Sequence, residues 1–92
     1  MQLSDEEEDY NLSLKKFESM LKTNKVLFFD SEEFEEIILH YLDTGKASLA
    51  KKALKLALEQ HPKSTGLKLV QVEMLVYDDK LDLAEKMLNE LY

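Results

Sequence analysis

The sequence predicts an all-α protein. Apolar residues recur at intervals of three and four along most of the chain, and residues typical of helix ends bracket these stretches. Only two glycines and one proline occur among the 92 residues, which argues against a turn-rich β-fold. We therefore expect a single domain, residues 1–92, built from five helices without a sheet.

The first helix is expected over residues 5–22, behind an acidic start. Its apolar stripe is formed by Tyr10, Leu14, Phe17 and Leu21. The five acids of residues 5–9 fit either a solvated first turn, which the positive end of a helix favours, or a docking tail for a basic partner. Ser4 and Glu7 match a capping box. The apolar run of residues 26–29 is expected to pack under the next helix.

The second and third helices have the clearest boundaries. The second begins at Asp30, which forms a capping box with Glu33, although Ser31 is an alternative cap. It ends at Gly45, a residue suited to the left-handed turn after a helix. Its apolar stripe is Phe34, Ile37, Ile38 and Tyr41. The third helix runs from about Ala47 to His61, just before Pro62. Its inward residues are expected to be Ala50, Leu54, Ala57 and Leu58.

The fourth helix, residues 65–77, is apolar almost all round. Such a helix is either buried on several sides or presents a binding face. Asp78 and Asp79 form the turn to a fifth helix over residues 81–91. The inward residues of this last helix are expected to be Leu81, Ala84, Leu88 and Leu91.

An internal repeat relates the two halves of this helical region. Residues 42–54 align with residues 76–88 after a shift of 34 positions. Chance predicts about one identity in such an alignment, whereas five are found, and a period of this length is typical of helical repeats. The identical pairs are Lys46/Lys80, Leu49/Leu83, Ala50/Ala84, Lys52/Lys86 and Leu54/Leu88.

Period and residue types together resemble the tetratricopeptide repeat family. The aromatic–aliphatic–aromatic pattern of its first helix is matched by Phe34, Ile37 and Tyr41. The pattern of its second helix is matched by Ala50, Leu54, Ala57 and Pro62. A second repeat matches less well, through Ala84, Leu88 and Leu91, while Lys68, Gln71 and Leu75 depart from the pattern.

The resemblance implies a right-handed α-solenoid of antiparallel helix pairs. It places one repeat at residues 30–63, a degenerate second repeat at 64–92, and a leading helix that covers the end of the stack within 1–29. Residues 17–38 also resemble the start of longer bacterial tetratricopeptide proteins. The chain is therefore expected to be the N-terminal piece of a longer solenoid.

Charge and composition exclude several functions. The formal net charge is −7, and all twelve basic residues are lysine, so a nucleic-acid-binding face is not expected. No signal peptide or membrane span is visible, and we expect a cytoplasmic protein. Without cysteine, and with only His40 and His61 as histidines, we expect no catalytic residue, no metal site and no cofactor.

The family's usual binding site is the concave surface lined by the first helix of each repeat. Carried over by position, its lining is Glu35, Leu39, Leu42, Leu69, Glu73, Val76 and Tyr77. The four aliphatic members could equally belong to the core. The resemblance thus implies a module that binds an apolar or mildly basic segment of another protein. The alternative is a structural cap that self-associates through its C-terminal helices.

Overall fold

The computed structural model describes residues 5–23 and 25–91, with side chains from residue 12 onward. Over these residues the chain forms five α-helices and no strand, which confirms the expected all-α class. The helices are α1 (Asp5–Leu21), α2 (Ser31–Asp43), α3 (Ala47–Gln60), α4 (Thr65–Tyr77) and α5 (Leu81–Leu91). The proposed Ser4–Glu7 capping box and the Tyr10 side chain lie outside the described residues.

Each helix contacts only helices that lie one or two places away in the chain, among the described residues. α1 packs against α2, and α2 packs most extensively against α3. α4 lies against α2, α3 and α5, whereas α5 contacts only α4 among these helices. The first helix pair, α2 and α3, is therefore covered on two sides, and the second pair, α4 and α5, on one.

An aromatic cluster joins α1 to the first helix pair. Phe17 of α1 lies 6.0 Å from Phe29 and 6.1 Å from Tyr41, measured between ring centroids. Phe29 lies 5.2 Å from Phe34 in the same way. All four rings are buried, and their tilted arrangements are those that aromatic pairs prefer. The cluster makes α1 part of the core.

The extended segment of residues 25–30 is held by the end of α3. The side chain of Gln60 donates to the Leu27 carbonyl at 2.8 Å and accepts the Phe29 N–H at 3.1 Å. His61 Nε2 lies 2.6 Å from the Phe29 carbonyl oxygen, and because a carbonyl only accepts, Nε2 must carry the proton. His61 also forms the C-cap of α3, close to the position expected from the sequence.

Only half of the apolar run at residues 26–29 packs as expected. Leu27 and Phe29 contact the core, whereas Val26 and Phe28 are exposed. In extended backbone, successive side chains point to opposite sides, so one side of such a segment stays in solvent when the other is buried.

Small side chains bring α2 and α3 together. Ala50 and Ala57, expected to face inward, are fully buried, and so is Ala53, which the sequence analysis did not single out. Leu54 is also buried as expected. The lysines at 51, 52 and 55 face solvent.

The helix pairs repeat in detail. α2 and α4 begin 34 residues apart, and so do α3 and α5. The same two backbone hydrogen bonds follow α2 and α4. The N–H of the second residue beyond each helix donates to the carbonyl three residues earlier, and the N–H of the third residue donates to the carbonyl five residues earlier. This is the Schellman motif, which needs a left-handed residue. Gly45 supplies it after α2, with φ of 76°, and Asp79 supplies it after α4, with φ of 60°.

This repeated turn gives a test of backbone strain. Asp79→Gly is expected to stabilise the protein by up to about 1 kcal/mol. Left-handed backbone costs an L-residue about 1–2 kcal/mol, and glycine avoids this cost but loses more conformational entropy on folding, which offsets part of the gain. Gly45→Ala should destabilise it by about 1 kcal/mol. No atom lies within 4 Å of a Cβ at Gly45, so that cost is conformational. Urea unfolding measures both; destabilisation by Asp79→Gly contradicts the argument.

Candidate partner-binding surface

The second helix pair exposes more apolar surface than the first. Large apolar side chains exposed on α4 and α5 are Val76, Tyr77, Leu81, Leu83 and Leu88. Elsewhere in the described chain, the large apolar side chains that are exposed are Leu12, Val26 and Phe28, in α1 and the following segment. Val76, Tyr77, Leu81 and Leu88 form a candidate contact surface, whereas Leu83 lies about 140° around α5 from Leu88.

Two of the expected groove residues face α4 and not an open groove. Glu35, Ile38 and Leu42 follow one another at helical spacing on a single side of α2. A Cβ at Gly66, in the first turn of α4, would come within 2.7 Å of the Glu35 carboxylate, so this side of α2 lies against α4. Leu42 is accordingly buried in the core, which is one of the two positions that the sequence left open for it. Glu35 stays half-buried.

The other expected groove residues differ in exposure. Leu39 is half-buried and packs against the core, and Leu69 is half-buried. Glu73, Val76 and Tyr77 are exposed near the end of α4. The accessible part of the expected site is therefore concentrated on α4.

α5 buries less than expected. Ala84 is buried, but Leu81 and Leu88, both expected to face inward, are exposed. Their spacing places them on one side of α5. Among the described helices, α5 contacts only α4, so this side is covered on one flank and not on the other. Helical periodicity identifies an apolar stripe correctly, but it cannot tell whether another helix covers that stripe.

Acidic groups border the surface. The carboxyl group of Glu35 has a pKa above its usual range, first because of partial burial and then because of repulsion from Glu32 and Glu36. Glu73 is exposed on α4. Lys51 on α3 forms an ion pair of 3.1 Å with Asp78, the C-cap of α4. The sequence analysis did not predict this pair.

The raised pKa of Glu35 predicts a pH-dependent variant. The folded state holds this proton more tightly than the unfolded chain does, so the ionised carboxylate costs stability above its raised pKa. The cost disappears as the pH falls from that pKa to the ordinary carboxyl pKa. Glu35→Gln should therefore stabilise the protein at neutral pH, with no gain below the ordinary pKa. Urea unfolding across this range tests it, with exposed Glu59→Gln as control; an equal gain at all pH values contradicts it.

The described residues show no candidate metal site. They contain no group of three or more His, Asp or Glu side chains that could hold a metal ion. His61 is engaged with the Phe29 carbonyl, and His40 stacks edge-on against Tyr41. No helix in the described part of the chain has both the length and the apolar character needed to span a bilayer.

Comparison with known proteins gives no relative. No protein-family model matches the chain, and neither a curated protein nor a solved structure is significantly similar to it.

Proposed function

We propose that this chain is a protein-binding helical-repeat domain of the tetratricopeptide type, which holds a segment of another protein against its second helix pair. The observation that carries the proposal is the exposed apolar end of α4, where 51% of Val76 and 62% of Tyr77 is accessible. Adjacent apolar side chains exposed on a helix that also contributes to the core are typical of a contact site.

The repeated geometry supports the solenoid part of this proposal. Helices that begin 34 residues apart and end in the same hydrogen-bonded turn are what stacked repeats require. Contacts mainly between helices close in the chain are also typical of solenoids. In this arrangement α1 takes the position of a covering helix for the first pair, through the contacts of Phe17.

The partner is proposed to be an apolar segment with basic flanks. Tyr77 offers a large apolar ring with a polar tip, a combination favoured at binding anchors. Glu73 on α4, Glu35 beside its first turn and a net charge of −7 make the surroundings acidic. Acidic groups at the edge of an interface speed the approach of a basic partner more than they tighten its binding.

Tyr77→Ala is expected to weaken partner binding by at least about 1 kcal/mol, which corresponds to about fivefold in the dissociation constant. Proteins retained by the immobilised wild-type domain would be identified and then titrated against wild type and variant. Val26→Ala, which truncates an equally exposed apolar side chain on the segment before α2, serves as the matched control. Equal affinity of wild type and Tyr77→Ala for the retained protein contradicts the proposal.

Stability separates this role from a structural one. Tyr77 is largely exposed, so its truncation should cost less stability than Leu54→Ala, which removes a buried side chain at a cost of about 2–5 kcal/mol. A large loss of stability in Tyr77→Ala would assign the ring to packing within the fold.

A further inference from the structure

The internal repeat allows the open face of the second helix pair to be compared with the equivalent face of the first. By the 34-residue shift, the counterparts of Ile38, Leu42 and Leu54 in the first pair are Val72, Val76 and Leu88 in the second. The first three residues are 0%, 7% and 7% exposed. Among their counterparts, Val72 is half-buried, Val76 is 51% exposed and Leu88 is 38% exposed. The face that is buried on the first pair is therefore open on the second pair.

α4 is the element that covers this face on the first pair. It contributes Leu67, Val70 and Met74, which are all buried and which recur at i, i+3 and i+7 on one side of the helix. One further turn along the same side, at i+11, Asp78 pairs with Lys51 of α3. The covering element therefore has three apolar positions and one charged position in a single row.

One charge is reversed on the second pair. The counterpart of Lys51 under the 34-residue shift is Glu85, which is exposed on α5. An element seated on the second pair in the same way meets an acid where Asp78 meets a lysine. Its residue at i+11 must then be basic to form the equivalent pair.

We infer that the open face of α4 and α5 binds an amphipathic helix that carries large apolar residues at i, i+3 and i+7 and a lysine or arginine at i+11. This inference builds on the proposed function, because it specifies the shape and charge of the bound segment. The helix lies across Leu69, Val72 and Val76 of α4 and beside Leu88 of α5, in the position that α4 occupies on the first pair. Helix packing into an apolar groove is a common mode of segment recognition.

The test uses a designed 15-residue peptide as the probe. It carries leucine at i, i+3 and i+7 and lysine at i+11, with alanine, glutamine and glutamate elsewhere. Lactam bridges on the opposite face keep it helical, since so short a peptide is only marginally helical alone. The first comparison peptide moves the leucines to i, i+2 and i+5, and the second replaces the lysine with aspartate. Fluorescence anisotropy gives the affinities, and nitrogen–proton NMR spectra of the full chain locate the site.

Two leucine variants of the full chain provide a matched comparison. Leu88→Glu places a charge in the open face and should weaken the probe at least about tenfold. Leu83→Glu changes a side chain that is also exposed but lies about 140° around α5 from Leu88. It should leave the affinity for the probe within about twofold of the wild-type value. Both replace surface residues, and circular dichroism melting checks that both variants fold. For wild type, the spectral changes should fall on α4 and α5.

The charge at i+11 gives an independent readout. The aspartate peptide should bind wild type about two- to fivefold more weakly than the lysine peptide, the range expected for an exposed ion pair. Glu85→Lys should reverse this preference. A preference unchanged by Glu85→Lys overturns the assigned orientation of the helix.

The remaining outcomes also decide the inference. The inference is overturned if the probe does not bind wild type, if the rearranged peptide binds equally well, or if the two leucine variants lose equal affinity for the probe. Concentration-dependent dimerisation of the chain that Leu88→Glu abolishes overturns it too, because a second copy then occupies the face. If a retained protein depends on Tyr77 while the probe does not bind, the proposed function stands and this inference fails.

Discussion

Phe17→Ala is expected to lower the free energy of unfolding by about 3–5 kcal/mol. The phenyl ring is fully buried and contacts both Phe29 and Tyr41, so its removal leaves a cavity between α1, the extended segment and α2. A domain of this size is stable by only about 5–15 kcal/mol, so the loss is a large part of the total. Urea unfolding measures the change.

Phe28→Ala is the matched control for this cavity. It removes the same ring from the neighbouring segment, but 76% of the Phe28 side chain is exposed. Its effect should stay within about 0.5 kcal/mol, as expected for a surface site. Hydrogen exchange adds a second measure, because Phe17→Ala should speed exchange in α1 more than in α3. Similar effects of the two substitutions would show that α1 is not attached through Phe17.

Ala50→Leu is expected to cost about 1–3 kcal/mol through overpacking. Ala50 is fully buried where α2 and α3 make their most extensive contact, and Ala53 and Ala57 line the same side of α3. Three added carbons have no space there unless the helices separate. A thermal melt should show a clearly lower midpoint for the variant.

Ala47→Leu is the control, because Ala47 is exposed at the first position of the same helix. The alanine-to-leucine change at this site should be nearly neutral. An unchanged melting midpoint in Ala50→Leu would mean that the α2–α3 contact has room for a larger side chain. The position of the buried alanine row would then be wrong.

Local signals accounted for the helices and their ends. The Asp30–Glu33 pair was predicted as a capping box, and in the structure the Glu33 side chain accepts the Asp30 N–H at 2.9 Å. Gly45 has the left-handed backbone expected after α2. Such features depend on residues three to five positions apart, so they are visible in the sequence. Side-chain bonds between distant segments, such as that from Gln60 to Leu27, have no comparable sequence signal.

The sequence by itself determined that this chain is all-α, where its five helices lie, and that its pattern repeats after 34 residues. Only the tertiary structure decided which apolar stripes are covered. Leu54 and Leu88 occupy equivalent positions in the repeat, yet α3, which carries the first, contacts both α2 and α4, whereas α5, which carries the second, contacts only α4 among the described helices. Periodicity reports the side of a helix that avoids water, whereas burial depends on which neighbour is present, and that neighbour is positioned by contacts far apart in the chain.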